Sequence, residues 1–502
     1  MKFANSPRFW LLLSLLILPL TVSNDSLWLD EGDTAVYAQQ PDFSAWRQWL
    51  VHDRLADCQM PLAMLSAWVG GKVFGTQEWQ LRALNLVWGV LALVALSRAG
   101  RRLQMPWLPV LLAIQPYFWF YLNEARPYAL LLAGGAWLLA ALVEFNFQRG
   151  SGTRWAWQLA AVSFFLFAAT LLAPLPVAMV VFTGGLLAWR QGWRLEWRAL
   201  KILGCGLLAC APLAIYYITT LLRGVKSSQM WQVDLKFVLY VFYELMGMGG
   251  LGLSPLEIRS LARSPNLFHE LLVRTPQLIL PLLLGILLLF VLCSGLRRQW
   301  RAGRRAMILG IAGVPLLTAT AFIAESLLLQ KAFWARHYAP VFPFYVALLG
   351  LAGAGLWMNS RKWLRAILLL IVALLLWSAL NFRFSPALRK ENYRDAAAFA
   401  KTALAKGWDV WWLAGYYSAS YYGLGVSYDY PESGKVFAAW VSPLNLLKLP
   451  PPAVIVLSRP DAHDIDDVGR KIIAENNYRV AARFQGFTIW TNSASISLTH
   501  LR

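Results

Sequence analysis

Apolar runs of about twenty residues recur along this chain, and they leave few folds open to it. A helix crossing a bilayer's hydrocarbon core needs about 20 mostly apolar residues, with its backbone polar groups bonded inside the segment. Eleven stretches read this way, roughly 8–23, 81–99, 107–123, 127–146, 155–172, 174–190, 200–222, 276–296, 306–329, 337–358 and 363–381. Of the 502 residues, 58% are hydrophobic and 14% charged, too apolar for a water-soluble protein of this length. The pair 155–172 and 174–190 is divided by Ala173-Pro174-Leu175-Pro176, where proline ends one helix and opens the next. The first run follows Lys2 and Arg8 as a signal peptide would. Val22-Ser23-Asn24 is a poor cleavage site, so that run is expected to remain as an anchor.

A net charge of +20 would suit a nucleic-acid partner, were the basic residues not placed by the apolar runs. Alternate short loops hold Lys2 and Arg8, Arg98, Arg101 and Arg102, Arg149 and Arg154, Arg190 to Lys201, Arg297 to Arg305, and Arg361 to Arg365. The intervening short loops hold only Arg126, Lys331 and Arg336. By the positive-inside rule the first set is cytoplasmic. The N-terminus is then cytoplasmic, and an odd number of spans puts Asp30, Glu31 and everything after about 382 outside. Cys205, Cys210 and Cys293 lie inside apolar runs and Cys58 alone in a polar segment, so no disulfide framework is expected. The five histidines are scattered and no CxxC or HExxH occurs, which gives a closed metal site no support.

The expected organisation is a transmembrane domain over 1–382, with outer loops 24–80 and 223–275, and an outer α/β domain over 383–502. In the first loop, Phe43 to Val51 has the aromatic spacing of a helix lying at a membrane surface. The second carries aromatic residues including Trp231 and a run, Gly247 to Gly252, that reads as flexible, and the loop as a whole is either a mobile lid or a surface-lying connector. In the tail, helices are expected from 392 to 405 and 468 to 476, and strands at 409–413, 453–457 and 487–490. No Gly-rich phosphate loop follows these strands, so no nucleotide is assigned.

Carboxylates and arginines gather on the outer face: Asp30-Glu31, the 53–61 segment, Glu124-Ala125-Arg126-Pro127-Tyr128 and Arg336-His337-Tyr338. A carboxylate at a membrane boundary loses hydration, which raises its affinity for a proton. Such a group can take a hydroxyl proton while arginine stabilises a departing phosphate. The same residues admit plainer roles. Asp30 and Glu31 suit a helix N-terminus, Glu124 and Arg126 a hairpin cap, and Arg336 and His337 snorkelling to the interface. Asp33, Asp53 and Asp57 read as solvated loop acids.

Leu29-Asp30-Glu31-Gly32 with Thr34 and Ala35 resembles the first outer-loop acidic motif of the GT-C membrane glycosyltransferases, in the branch of the protein O-mannosyltransferases and the lipid A aminoarabinose transferase. Ala125 to Leu130 is similar to that branch's third-to-fourth helix junction, and Arg336 to Pro343 to its Arg-Tyr…Pro…Pro helix start. Tyr393-Arg394-Asp395-Ala396-Ala397 ahead of an α/β unit is similar to bacterial members. The resemblance implies a GT-C fold and transfer of a sugar from a polyprenyl-phosphate carrier to a lipid, glycan or protein hydroxyl, on the periplasmic side of a bacterial inner membrane. Asp30 would be the general base and Glu31 would position the acceptor or a cation. Arg126 and Arg336 would hold the lipid phosphate, with Gln59, Glu124, Tyr128, His337 and Tyr338 around the substrates. Where relatives carry a His-Pro-Pro or Glu-Lys-Pro stretch, this chain reads Asp57-Cys58-Gln59-Met60-Pro61, so either another cation replaces the missing basic group, Arg54 being a nearby option, or the donor differs from the usual one. No metal is assigned, and a divalent Mg or Mn near the acids is the alternative. The rival functions are a flippase for lipid-linked sugars, which the nearly charge-free helix interiors disfavour, and a non-catalytic envelope assembly protein.

Overall fold

A computed structural model describes residues 6–52, 56–223, 234–254, 257–258, 261, 266–329, 333–357, 361–427, 438–439, 450–464 and 467–492. Arg54, Asp53, Trp231 and Lys331 lie outside them. The chain forms two compact units, one of residues Met1–Ser23, Arg47–Ser66 and Arg82–Leu388, the other of Asn24–Trp46, Ala67–Leu81 and Arg389–Arg502.

In the first unit, the described residues include six helices long and apolar enough to cross a membrane, Glu78–Leu103, Tyr128–Gln148, Trp197–Leu222, Thr275–Arg301, Arg305–Leu328 and Lys362–Phe384, the first of which begins in the other unit. Pro7–Thr21 and Phe342–Trp357 are shorter apolar helices. The remaining expected runs fall short for local reasons. The 107–123 run is two helices, Leu108–Ala113 and Pro116–Leu122, because Pro116 forces Gln115 out of helical geometry (ψ 128°). Arg154–Ala169 spans 16 residues, and Pro174–Gln191 spends its ends on proline, arginine and glutamine. The tenth run starts at Phe342, five residues later than expected, after a 3-10 turn over Ala335–Tyr338.

Tyr128–Gln148 is the central helix, with 94% of its apolar window buried. Its small residues let neighbours close in. A Cβ on Gly135 would stand 2.0 Å from the carbonyl oxygen of Pro340, so only glycine fits. Trp197–Leu222 is the opposite case, 6% buried, with Leu207, Leu208 and Leu222 facing outward. Apolar surface of that extent is a liability in water and is satisfied by lipid. The chain is a membrane protein.

The glycine run expected to be flexible is instead a close-packed joint. Gly247 takes φ +73° to end the Leu235–Leu245 helix segment, and its carbonyl accepts a 2.6 Å hydrogen bond from Ser378 Oγ. Asn381 Nδ2 donates to the Gly250 carbonyl at 2.7 Å, where a Cβ would collide with the Ser378 backbone.

The second unit holds a sheet of six strands in the order β2-β3-β1-β4-β6-β5. They are β1 Val410–Leu413, β2 Val426–Ser427, β3 Ala438–Ala439, β4 Val454–Ser458, β5 Arg479–Phe484 and β6 Phe487–Thr491. Strands β2, β3, β1 and β4 run parallel, and β6 and β5 complete the sheet antiparallel. Both β1 and β4 are buried on both faces, which is why each reads as an unbroken apolar run. Asn392 caps the Tyr393–Ala405 helix, whose Ala396, Ala397, Ala400 and Ala403 pack into the core. Residues 24–46 and 67–81 pack with this tail. Tyr422 Oη accepts from the Leu27 amide at 2.7 Å, and Arg394 reaches Glu78 at 2.7 Å and the Asn24 carbonyl at 2.8 Å.

Candidate functional site

The acidic motif forms the first turn of the Leu29–Gln39 helix in the second unit. Glu31 stands at the third helical position and accepts from the Trp28 amide at 3.3 Å, satisfying a donor that the helix start would otherwise strand. Its other oxygen faces Lys390 Nζ at 3.6 Å, with the Glu31 side chain wholly buried and Lys390 12% exposed. The Lys390 ammonium also lies 5.7 Å from the Trp28 ring centroid. Asp30, one position earlier, is half-buried. It lies within electrostatic range of Tyr393, whose phenol is pushed up chiefly by burial, then by Glu391, with Asp30 adding to it. The turn is locked from behind by Ser418, whose Oγ donates toward the carbonyls of Trp28 and Leu29 at 3.2 and 3.3 Å. Gly32 permits that approach, since a Cβ there would stand 2.1 Å from Ser418 Oγ.

A second constellation belongs to the helical unit. Asp57 and Arg126 form an ion pair at 2.5 Å with side chains 4% and 7% exposed. Asp57, expected to be a solvated loop acid, is therefore a buried ion-pair partner, because the Ala56–Gln59 turn is folded inward. Tyr216 Oη donates to the Cys58 carbonyl at 2.6 Å and the Leu171 amide to the Gln59 carbonyl at 3.1 Å. The Gln59 side chain is buried and its Nε2 has no hydrogen-bond partner among the described residues, which leaves a donor available to an incoming oxygen. Glu124 is buried, its carbonyl taken by Asn85 Nδ2. Tyr128 packs edge-on against Tyr121 with centroids 5.0 Å apart.

Tyr117 gathers the rest. It lies within electrostatic range of Glu244, Tyr128, Glu124 and Tyr338, and its Oη donates to the Ala335 carbonyl at 2.8 Å. Arg336 and His337 are half-buried on the adjoining 3-10 turn, His337 against Phe333 with ring centroids 5.7 Å apart. Tyr117, Tyr121, Tyr240, Tyr243 and Glu244 border a crevice of about 20 Å³, room for a single water.

Lys390 and Glu244 carry no signal in the sequence. Lys390 follows Arg389 in a charged stretch, and its partner stands over 350 residues earlier in the chain. Among the described residues no three His, Cys, Asp or Glu side chains form a group that could hold a metal ion. The donor set at the acidic turn does not fit a divalent cation, since the ammonium of Lys390 already faces the Glu31 carboxylate.

The chain has the fold of the GT-C membrane glycosyltransferases. It matches the apo crystal structure of ArnT from Cupriavidus metallidurans with TM-score 0.53 and 14% identity, covering 97% of this chain and 98% of that one. The structure of the same enzyme bound to undecaprenyl phosphate gives TM-score 0.43 at 15% identity over 97% and 98% of the two chains. Arabinofuranosyltransferase AftD from Mycobacteria gives 0.45 at 13% identity, over 98% of this chain and 40% of that one. At these identities the likeness is one of fold. No protein-family model and no curated protein sequence matches the chain.

Proposed function

We propose that this protein is a glycosyltransferase that moves a sugar from a polyprenyl-phosphate carrier to a hydroxyl acceptor on the periplasmic face of a bacterial inner membrane. The observation that carries the reading is the acidic turn, where Glu31 is buried against Lys390 while its neighbour Asp30 keeps partial access to solvent. Two adjacent carboxylates in unlike environments divide the work. Glu31 caps the helix and fixes the turn. Asp30 accepts the proton of the acceptor hydroxyl as its oxygen attacks the anomeric carbon. The bond from that carbon to the phosphate oxygen breaks with its electron pair leaving on phosphate, so an inverting transfer needs one base and one cationic stabiliser. Lys390 is a cation beside the acids. Arg126 and Arg336 keep the phosphate-holding roles that the sequence resemblance gives them, and Gln59, Tyr128, Glu124, His337 and Tyr338 are proposed to line the substrates.

The test is sugar release from a panel of radiolabelled polyprenyl-phosphate sugars in proteoliposomes. Turnover of one donor, unaffected by chelator, supports the reading and names the sugar. Consumption of none moves the flippase or assembly reading ahead. Loss on chelation with rescue by Mn or Mg overturns the metal-free step.

A further inference from the structure

The central helix ends at a second charged site. Tyr128–Gln148 spans 21 residues, roughly 30 Å at 1.5 Å per residue. Far from Arg126, its last turns border a cavity of about 350 Å³ lined by Arg98, Arg101, Arg102, Ala140, Glu144, Arg154 and Gln158. Arg98, Arg101 and Arg102 share one face of the Glu78–Leu103 helix by their three- and four-residue spacing. Arg154 opens the Arg154–Ala169 helix, whose N-terminus has no side-chain cap and no acid in its first turn.

This is more than loop charge left by topology. Arg102 donates from Nε and Nη2 to the two Glu144 oxygens at 2.9 and 3.0 Å, and Gln148 Nε2 donates to the same carboxylate at 2.8 Å. Arg98 lies 5.2 Å from the Trp137 ring centroid and Arg102 4.1 Å from that of Phe147. Two guanidiniums are thereby positioned. Arg101 and Arg154 have no carboxylate partner among the described residues, and the buried Gln158 Oε1 has no hydrogen-bond donor. Four arginines face a single carboxylate around one cavity. Arg98, Arg101, Arg102 and Arg154 are solvent-exposed, which leaves the guanidinium donors not bound to Glu144 open to an incoming anion, and an anion there would also offset the Arg154 cation at its helix N-terminus.

We propose that this cavity binds a phosphate ester bearing a hydroxyl, with the phosphate between Arg98, Arg101 and Arg154 and the hydroxyl donating to Gln158 Oε1. Arginine recognises phosphate through paired N–H donors, and basic pockets between membrane helices hold lipid headgroups. A phosphatidylglycerol headgroup and soluble glycerol phosphate share this chemistry.

The test uses the full chain in nanodiscs and counts retained lipid by native mass spectrometry. Wild type should retain phosphatidylglycerol over phosphatidylcholine, and R101Q/R154Q should lose roughly tenfold or more of that preference, while R297Q/R298Q should keep it. Equal loss in both variants, or no preference in wild type, overturns the proposal. In phosphatidylcholine discs, glycerol phosphate binding lost in R101Q/R154Q identifies a soluble ligand. Phosphatidylglycerol retention with no glycerol phosphate binding identifies the lipid.

Discussion

At the scale of single residues, the acidic turn rests on the Glu31–Lys390 pair. Its carboxylate is wholly buried and its ammonium nearly so, so removing one partner takes an opposite charge away from a buried one. Lys390→Met is expected to destabilise the second unit by about 3 kcal/mol, read by denaturant unfolding of the tail. Adding Glu31→Gln should recover most of that loss, because a buried pair removed together costs little. A double variant as unstable as the sum of the singles would contradict the pairing. The acids themselves were legible, because two carboxylates beside an apolar run stand out in any reading of composition. Their unlike surroundings were not. They depend on Lys390 and Ser418, which the fold brings from the far end of the chain. The Asp57–Arg126 pair was hidden the same way, since one short motif contains the acid and another, 69 residues on, contains its partner.

At the scale of elements, the Leu29–Gln39 and Tyr416–Tyr421 helices meet where Gly32 faces Ser418. Gly32→Ala is expected to cost about 1–3 kcal/mol by overpacking, measured as a shift in thermal unfolding. Ser418→Ala should not rescue it, because the Ser418 backbone nitrogen and Cα also stand within 2.7 Å of the added Cβ. Full rescue would show that the contact is only with the hydroxyl. Tyr422 ties residues 26, 27 and 78 to the tail, and burial, partly offset by Ser26, pushes its phenol up to about 12. A phenol that ionises later in the folded state than in the unfolded one supports folding fully below about pH 10. That support is lost as the pH rises toward 12. Unfolding followed by circular dichroism should show a stability loss between about pH 10 and 12 that Tyr422→Phe reduces, and an identical slope in both proteins would exclude Tyr422 as its source. Strands β1 and β4 and the Tyr393–Ala405 helix were readable because burial on both faces, or on one helical face, leaves an unmistakable apolar pattern. Strand β5 was not, since Arg479 and Arg483 alternate with residues only half-buried. The Gly247 to Gly252 run looked flexible for a related reason. Composition cannot distinguish a glycine kept for freedom from one kept so that Ser378 and Asn381 can approach its backbone.

At the scale of the whole molecule, the apolar runs announced a membrane protein, and the order of short motifs announced the GT-C fold that the match to ArnT bears out. Helix breaks such as Gln115-Pro116 explain why fewer described helices are long enough to span than the runs suggested. The account's central claim is that Asp30 is the base of a sugar transfer. The most direct measurement is the single-turnover rate of sugar transfer by Asp30→Asn against wild type, in proteoliposomes loaded with the donor that wild type consumes. The account predicts a fall of about 10²- to 10⁴-fold in rate, with donor binding retained. An unchanged rate in Asp30→Asn would contradict it.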